Sequence, residues 1–375
     1  MFRCIGQDSA CTFRNDIRNH YVAGRCPLTL CSGFAPSKGG KMKKHMLLPL
    51  PHQFAVQTTL LVSLLTLVVL SVLWGKQYFL LADVLPVLRG EANPFKRWLL
   101  LDLRLPRALA AAGVGMALGA AGAVFQSLTR NALGSPDIIG INAGAAVGAV
   151  AASLIWPGFL TMEQGALFGS LTVLILILVG TKGRLNFGME IIISGLAVNA
   201  AAMALVQFGL ISTRQENAQQ MTAWLSGSLE ARSWIHVATV WTWMPLMLLV
   251  LHVLNIRLSL LALGKETASG LGVNIKHSSW ALLMAATVLA AAAVTAAGPI
   301  AFVAFAAPHI VRRLMKTDRP LLWAAALSGG VLLLTADLTA RLLPTSSPLP
   351  VGVVTAALGG AYLTFLLSGK NRLGR

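Results

Sequence analysis

Long hydrophobic runs alternate with short polar segments over most of this chain. A helix needs about 20 apolar residues to cross the ~30 Å hydrocarbon core of a bilayer. Ten runs approach that length, at residues 54–74, 107–128, 138–156, 162–179, 191–211, 235–254, 280–297, 300–311, 321–343 and 351–367. The pattern predicts an all-α, polytopic membrane protein with about ten transmembrane helices.

The eighth run is too short to span a bilayer unaided. It follows a break at Gly298-Pro299 and covers only residues 300–311. Irregular backbone is tolerated at membrane depth only where protein or water satisfies its polar groups. We therefore expect a half-helix that packs inside the bundle.

Basic residues between the runs predict the orientation, because Lys and Arg near span ends are retained in the cytoplasm. If the first span runs outward, sixteen Lys and Arg residues fall on the inside and nine on the outside. Both termini are then cytoplasmic.

Composition agrees with a membrane domain and argues against nucleic-acid binding. Hydrophobic residues make up 56% of the chain and charged residues 11%, and the mean hydropathy is +0.71. The net charge of +17 comes from basic residues scattered over loops, without a basic helix or an aromatic platform. Membrane topology explains this charge better than a nucleic-acid partner does.

The first 45 residues differ in character from the rest. They contain all four cysteines, in spacings that match no zinc pattern, and they lack the apolar core of a signal peptide. We interpret 1–45 as a dispensable or wrongly assigned leader, with Met42 or Met46 as the natural start. Residues 46–375 form the transmembrane domain.

Polar residues inside the runs are few, and each is expected either to pair with another polar group or to line a translocation path. Asp337 is the clearest ionisable one, and Arg341 follows four residues later on the same helical face, where it is the simplest partner for the carboxylate. Such a sparse set disfavours an ion-coupled carrier, which stays the alternative from another class. Metalloprotease and prenyl-diphosphate motifs are missing from the sequence, so we expect no enzymatic activity.

The segment 263–274, "LGKETASGLGVN", is a short polar stretch on the predicted cytoplasmic side. Gly264, Ala268 and Gly272 recur every four residues and give a short helix one very small face, which we expect to be a shallow docking surface. Gly270 and Gly272 are able to end that helix. Ser259 stands where a GxxxxGK[ST] loop needs its first glycine, so any ATP is bound by another polypeptide.

Five motifs in order resemble the FecCD family of permease subunits, which serve ABC importers of iron-siderophores, haem and cobalamin. The resemblance covers about residues 55–368. The motifs are "RLPRALAAAGVGMALGAAGAVFQSLTRNALGSPDIIGINAGA" (104–145), "WLSGSL" (224–229), "LGKETASGLGVN" (263–274), "AGPIAFVAFAAPHIVRR" (297–313) and "PLPVGVVTAALGG" (348–360).

The resemblance implies three groups of functional residues. Outer arginines would dock a substrate-binding protein: Arg104, Arg107 and Arg341. Coupling helices over about 258–276 would sit in a cleft of the ATPase, with contacts from Gly264, Lys265, Glu266, Ala268, Leu271, Gly272, Val273 and Asn274. Residues of the translocation path or its gates would be Gln126, Asn142, Asn199, Trp224, Pro308 and His309. For Trp224, an interfacial aromatic anchor is an equal alternative, and His309 has a structural cap or a gate role rather than a catalytic one.

Partners and substrate also follow from the resemblance. We expect a second permease chain, two copies of an ABC ATPase that carry ATP-Mg, a periplasmic binding protein, and a multi-pass location in the bacterial inner membrane. The motifs look closest to the ferric-enterobactin branch, whose permeases favour a heterodimer; a haem or cobalamin permease is the alternative. No metal ligands or cofactor of its own are expected, because the iron would stay wrapped in its chelator.

Overall fold

The computed structural model describes residues 50–75, 79, 81–180, 189–317, 319–344 and 349–370. The predicted leader, 1–45, lies outside these residues. The regular elements in the described part are helical. They are α1 (Leu50–Leu73), α2 (Leu81–Arg89), α3 (Pro94–Trp98), a π-helical segment (Leu99–Arg104), α4 (Leu105–Thr129), α5 (Pro136–Ile139), α6 (Ile141–Ile155), α7 (Met162–Gly180), α8 (Met189–Ile211), α9 (Gln215–Leu225), α10 (Trp234–Val253), α11 (Asn255–Leu263), α12 (Lys265–Gly270), α13 (Ile275–Ala297), α14 (Val303–Met315), α15 (Leu322–Leu342) and α16 (Val351–Lys370).

Each of the ten predicted runs coincides with a helix. Six described stretches are long and apolar enough to cross a membrane: 52–73, 94–129, 193–211, 234–253, 275–297 and 322–342. Three shorter apolar helices cover 141–155, 162–177 and 351–365, and α14 is the tenth element. The prediction of an all-α polytopic membrane protein is confirmed.

The central helix of the bundle is α4. In the stretch 94–129 that contains it, 94% of an apolar window of 18 residues is buried, and α4 packs on α10, α13, α14 and α15. By contrast, only 17%, 22% and 28% of the corresponding 18-residue windows in α1, α8 and α10 are buried, so most of their apolar surface faces outward. In a lipid environment such exposed apolar faces carry no penalty.

Glycine-to-backbone contacts join the most closely packed helices. A Cβ on Gly119 of α4 would lie 2.2 Å from the Ala325 carbonyl oxygen of α15, and one on Gly148 of α6 would lie 2.0 Å from that of Gly165 in α7. The helix backbones touch at these points, as small residues allow in membranes. Gly115 and Gly144 approach neighbouring backbones in the same way, at 2.4 Å from the Gly329 carbonyl oxygen and 2.7 Å from that of Gly169, measured from an ideal Cβ.

The eighth segment forms a half-helix, as predicted. The α13 helix ends at Ala297, and after an irregular segment α14 begins at Val303. The start of α14 packs tightly on α4, because a Cβ on Gly122 would collide with the Ala304 carbonyl oxygen. Eight of the thirteen residues of α14 are buried.

The alternating helix directions define two ends of the bundle. Following the predicted topology, we call the end with Arg104 and Arg341 the outer end, and the opposite end the inner end.

Candidate functional site

The three predicted docking arginines lie together at the outer end. Arg104 closes the π-helical segment and donates from Nη1 to the carbonyl oxygens of Val72 and Leu73, at 3.1 Å each. Arg341 donates from Nη1 to the Ser71 carbonyl oxygen at 3.0 Å. The last carbonyls of a helix have no partner within that helix. The two guanidinium groups therefore cap the C-terminus of α1.

A buried carboxylate joins two of these arginines. Asp337 is 0% exposed. Its Oδ1 accepts from Arg107 Nη2 at 2.8 Å and Nε at 3.0 Å, and its Oδ2 lies 2.7 Å from Arg341 Nη2. The carboxylate links α4 to α15 and directs both guanidinium groups. The Asp337–Arg341 pair predicted from the sequence is confirmed.

The ion pair of Asp337 with Arg107 was missed by the sequence reasoning, because 230 positions separate the two residues. Docking of a binding protein by these arginines stays a prediction. The structure leaves these arginines less available for docking, because each of the three has internal partners and Arg104 is only 8% exposed. Arg107, with 20% of its side chain exposed, is the most accessible.

The predicted coupling segment consists of two short helices at the inner end. A kink at Gly264, whose φ of +127° suits glycine, separates α11 from α12. The α12 helix ends at Gly270, and the Val273 N–H then donates to the Ala268 carbonyl oxygen. Asn274 caps α13, since its side-chain oxygen accepts from the His277 N–H at 3.1 Å.

The orientation of this segment differs from the prediction. Gly264 and Ala268, from the very small face, are buried against the bundle, so most of that face is not a docking surface. The exposed face carries Glu266 and Leu271, and Leu271 is 61% exposed. The physical reason is that a face of small residues allows close packing against the bundle as readily as against a partner protein.

Arg130 is a further residue of this surface that the sequence reasoning did not select. It ends α4 in a left-handed conformation with φ +49° and is exposed. Its Nη1 lies 3.6 Å from the place that a Cβ on Gly264 would occupy. Arg130, Glu266 and Leu271 together form what we call the inner surface. It combines a basic, an acidic and an apolar side chain.

Two of the predicted path residues, Gln126 and His309, make contacts that join α14 to its neighbours, and a third, Pro308, lies within α14. Gln126 of α4 donates from Nε2 to the Phe305 carbonyl oxygen at 3.0 Å and accepts from Arg312. His309 Nδ1 lies 2.8 Å from the Tyr362 hydroxyl of α16. Pro308 lacks the N–H that would bond the Ala304 carbonyl. The contacts of His309 agree with a structural role.

Two path residues lie near the junction of α5 and α6. The Asn142 side chain donates to Asp137, and burial raises the pKa of that carboxyl to about 7. Asn199 is partly buried on α8, and its backbone nitrogen is 3.7 Å from the place of a Cβ on Gly140. This junction is a separate place from the α14 contacts.

Trp224 occupies a third place, within the helix bundle. It is 7% exposed and packs with Ala145, Ala149, Ala166 and Val294, which belong to α6, α7 and α13. An aromatic anchor at the membrane interface would expose its ring to headgroups. The anchor interpretation is therefore wrong, and the gate interpretation stays a prediction.

Among the residues that the structure describes, no group of three or more His, Cys, Asp and Glu side chains could hold a metal ion.

A close-packed bundle with a broken inner half-helix and two short helices beyond its spans has the architecture of a membrane permease. The chain belongs to the FecCD transport family, whose model matches residues 63–369.

Several curated proteins are similar over most of this length. The ferric enterobactin transport system permease protein FepG of Escherichia coli is 38% identical over 327 residues, which cover 84% of this chain and 98% of FepG. The iron-uptake system permease protein FeuC of Bacillus subtilis is 35% identical over 74% of this chain and 86% of its own length. The vitamin B12 import system permease protein BtuC of Yersinia enterocolitica is 33% identical over 79% and 85%.

A solved structure, described as an inward-facing conformation of a metal-chelate type ABC transporter, has the same fold. The TM-score is 0.76 at 25% identity, and the match covers 84% of this chain and 99% of the other.

Proposed function

We propose that this chain is the transmembrane permease subunit of an ATP-binding-cassette importer that carries a ferric siderophore across the bacterial inner membrane. The observation that carries the proposal is the FecCD match over residues 63–369. The names of similar proteins, which include iron-uptake and ferric enterobactin permeases, support iron-chelate transport. A catecholate of enterobactin type is the substrate that we favour within this class.

Its partners in this proposal are a second permease chain, two ABC ATPases that bind ATP-Mg, and a periplasmic siderophore-binding protein. ATP hydrolysis belongs to the ATPase chains. The inner surface supports a docking role, because its charged groups stay in water while Leu271 offers an exposed apolar contact beyond the spans. The permease pair would open to either side in turn as the ATPases close and separate.

A charge reversal on the inner surface tests the coupling part of this proposal. Glu266→Arg should lower both uptake and binding-protein-stimulated ATP hydrolysis by at least about tenfold, because it reverses the sign of an exposed charge on the surface proposed to contact the ATPase. The measurement is made on the complex in proteoliposomes. Glu216→Arg is the matched control, an identical substitution of an exposed glutamate in α9 at the outer end. Equal activity of the two variants would overturn the assignment of α12.

The substrate is tested separately, by uptake of a panel of ferric chelates in the same vesicles. The panel contains ferric enterobactin, ferric dicitrate, a ferric hydroxamate, haem and vitamin B12. Selective uptake of a ferric siderophore is the expected result. Uptake of vitamin B12 alone would favour the second candidate, which the similarity to BtuC supports. ATP-independent uptake driven by an ion gradient would indicate a carrier instead.

A further inference from the structure

The loop between α9 and α10 (Ser226–Ser233, the α9–α10 loop) is held by two backbone contacts at the outer end. The Ser228 N–H donates to the Ala297 carbonyl oxygen at 2.9 Å, and the Gly352 N–H donates to the Gly227 carbonyl oxygen at 3.0 Å. Leu229, within the loop, is only 1% exposed. The loop therefore closes over the ends of α13 and α16.

Its backbone conformation needs external support. Ala231 has φ +55°. A non-glycine residue in this region costs on the order of 1 kcal/mol and persists only where the surroundings over-determine it. The contacts that hold the loop therefore decide whether it keeps this shape.

An ion-pair cluster ties the loop to α7. Glu163 lies in the first turn of α7, and its Oε1 is 3.7 Å from Arg232 Nη1 and 3.8 Å from His236 Nε2. Arg232 has 9% of its side chain exposed and also donates from Nε to the Ser228 carbonyl oxygen at 3.1 Å. One guanidinium thus braces the loop internally and binds it to α7.

Local hydrogen bonds fix the direction of each member. Thr161 and Gln164 bond reciprocally across the start of α7, at 3.1 and 3.3 Å, and so order the turn that carries Glu163. The Ser233 N–H donates to His236 Nδ1 at 3.2 Å. In the neutral imidazole this acceptor role places the proton on Nε2, which faces the Glu163 carboxylate.

We propose that Glu163 is a positioning residue for transport, which holds the α9–α10 loop closed through Arg232 and His236. Opening of the outer end requires these groups to separate. Trp224 lies in the adjoining region, because Ala166, one turn after Glu163, belongs to the same cluster of buried residues as Trp224. The proposal rests on the proposed function, since alternating access supplies the reason for the loop to open.

The test measures loop opening directly. Leu229→Cys, with the four leader cysteines replaced by serine, places a buried thiol beneath the loop. A membrane-impermeant maleimide is applied from the outer side to the assembled complex in proteoliposomes without ATP. Adding Glu163→Gln should speed labelling by about threefold to tenfold, since a partly buried ion pair is removed. Glu230→Gln, an exposed glutamate in the same loop, is the control and should not change the rate.

A second variant separates the ion pair from a general loss of folding. Arg232→Gln should speed labelling at least as much, because it also removes the bond to the Ser228 carbonyl. Adding Glu163→Gln to that variant should have a smaller effect than Glu163→Gln alone, because the ion pair that the two residues share is already broken. Assembly with the ATPase is checked in parallel. An unchanged rate with Glu163→Gln, or the same increase with Glu230→Gln, overturns the proposal. Because labelling needs no substrate, failure of siderophore uptake tests the proposed function alone.

Discussion

Asp337 is the residue that holds two of the outer arginines, Arg107 and Arg341, in place. It is fully buried and faces two guanidinium groups within 3.0 Å. Burial of a charge is unfavourable unless the charge is paired and hydrogen-bonded. Here the pairing directs Arg341 onto the end of α1, so one carboxylate stabilises the contact of three helices, α1, α4 and α15.

Replacement of this carboxylate should destabilise the fold. Asp337→Asn leaves two arginines without their counter-charge and should lower the free energy of unfolding by about 3–5 kcal/mol. Thermal unfolding of the purified protein in detergent measures the loss. Asp102→Asn, an exposed aspartate in the π-helical segment, is the control and should have little effect. Equal stability of both variants would contradict a structural role for the cluster.

At the scale of elements, α6 and α7 meet through glycines on both helices. Gly148 approaches the Gly165 carbonyl, and Gly169 approaches that of Gly144 at 2.0 Å, measured from an ideal Cβ. Lipid supplies no hydrophobic force to drive helices together, so such contacts depend on close van der Waals fit. Trp224 packs in one cluster with residues of both helices.

A single methyl group should separate this pair. Gly148→Ala would place its Cβ 2.0 Å from a backbone oxygen, and overpacking of this kind costs about 1–3 kcal/mol. Gly360→Ala in α16 is a matched control, because among the described residues no atom other than its own helix backbone lies within 4 Å of the place that its Cβ would occupy. Melting curves of the two variants should therefore differ, with Gly360→Ala at or above the unchanged protein. A stable Gly148→Ala variant would show that the helices can shift apart without loss.

At the scale of the whole molecule, the two ends use their basic residues differently. The outer arginines cap α1 and neutralise Asp337, whereas Arg130 at the inner end is exposed beside α12. Exposed charges at an interface mainly set the rate and orientation of association. Of these four arginines, Arg130 is thus the best placed for an electrostatic contact with a partner.

Charge reversal of Arg130 should weaken assembly with the ATPase. Arg130→Glu is expected to reduce co-purification of the ATPase, and the effect should shrink as salt rises because exposed charges are screened within about 10 Å at 0.1 M. Arg214→Glu, at the exposed outer start of α9, is the control. Loss of assembly that is independent of salt would indicate a packing defect rather than an electrostatic one.

Some of this architecture could be read from local pattern. The length of each apolar run, the break at Gly298-Pro299 and the i,i+4 spacing of Asp337 and Arg341 are local properties, and each predicted its helix, its break or its contact correctly. The side on which α12 packs could not be read in this way. Small residues fit against a bundle and against a partner equally well, so the burial of Gly264 and Ala268 depended on the neighbours.

The order of hydrophobic runs and the composition were sufficient for the class of fold, because a bilayer imposes a fixed helix length on any chain that crosses it. Tertiary packing alone established that Arg107 shares Asp337, that Trp224 is buried among three helices, and that Glu163 faces Arg232 and His236. The reason is physical: these contacts join residues far apart in the chain, and their energy exists only when the helices that carry them have already come together.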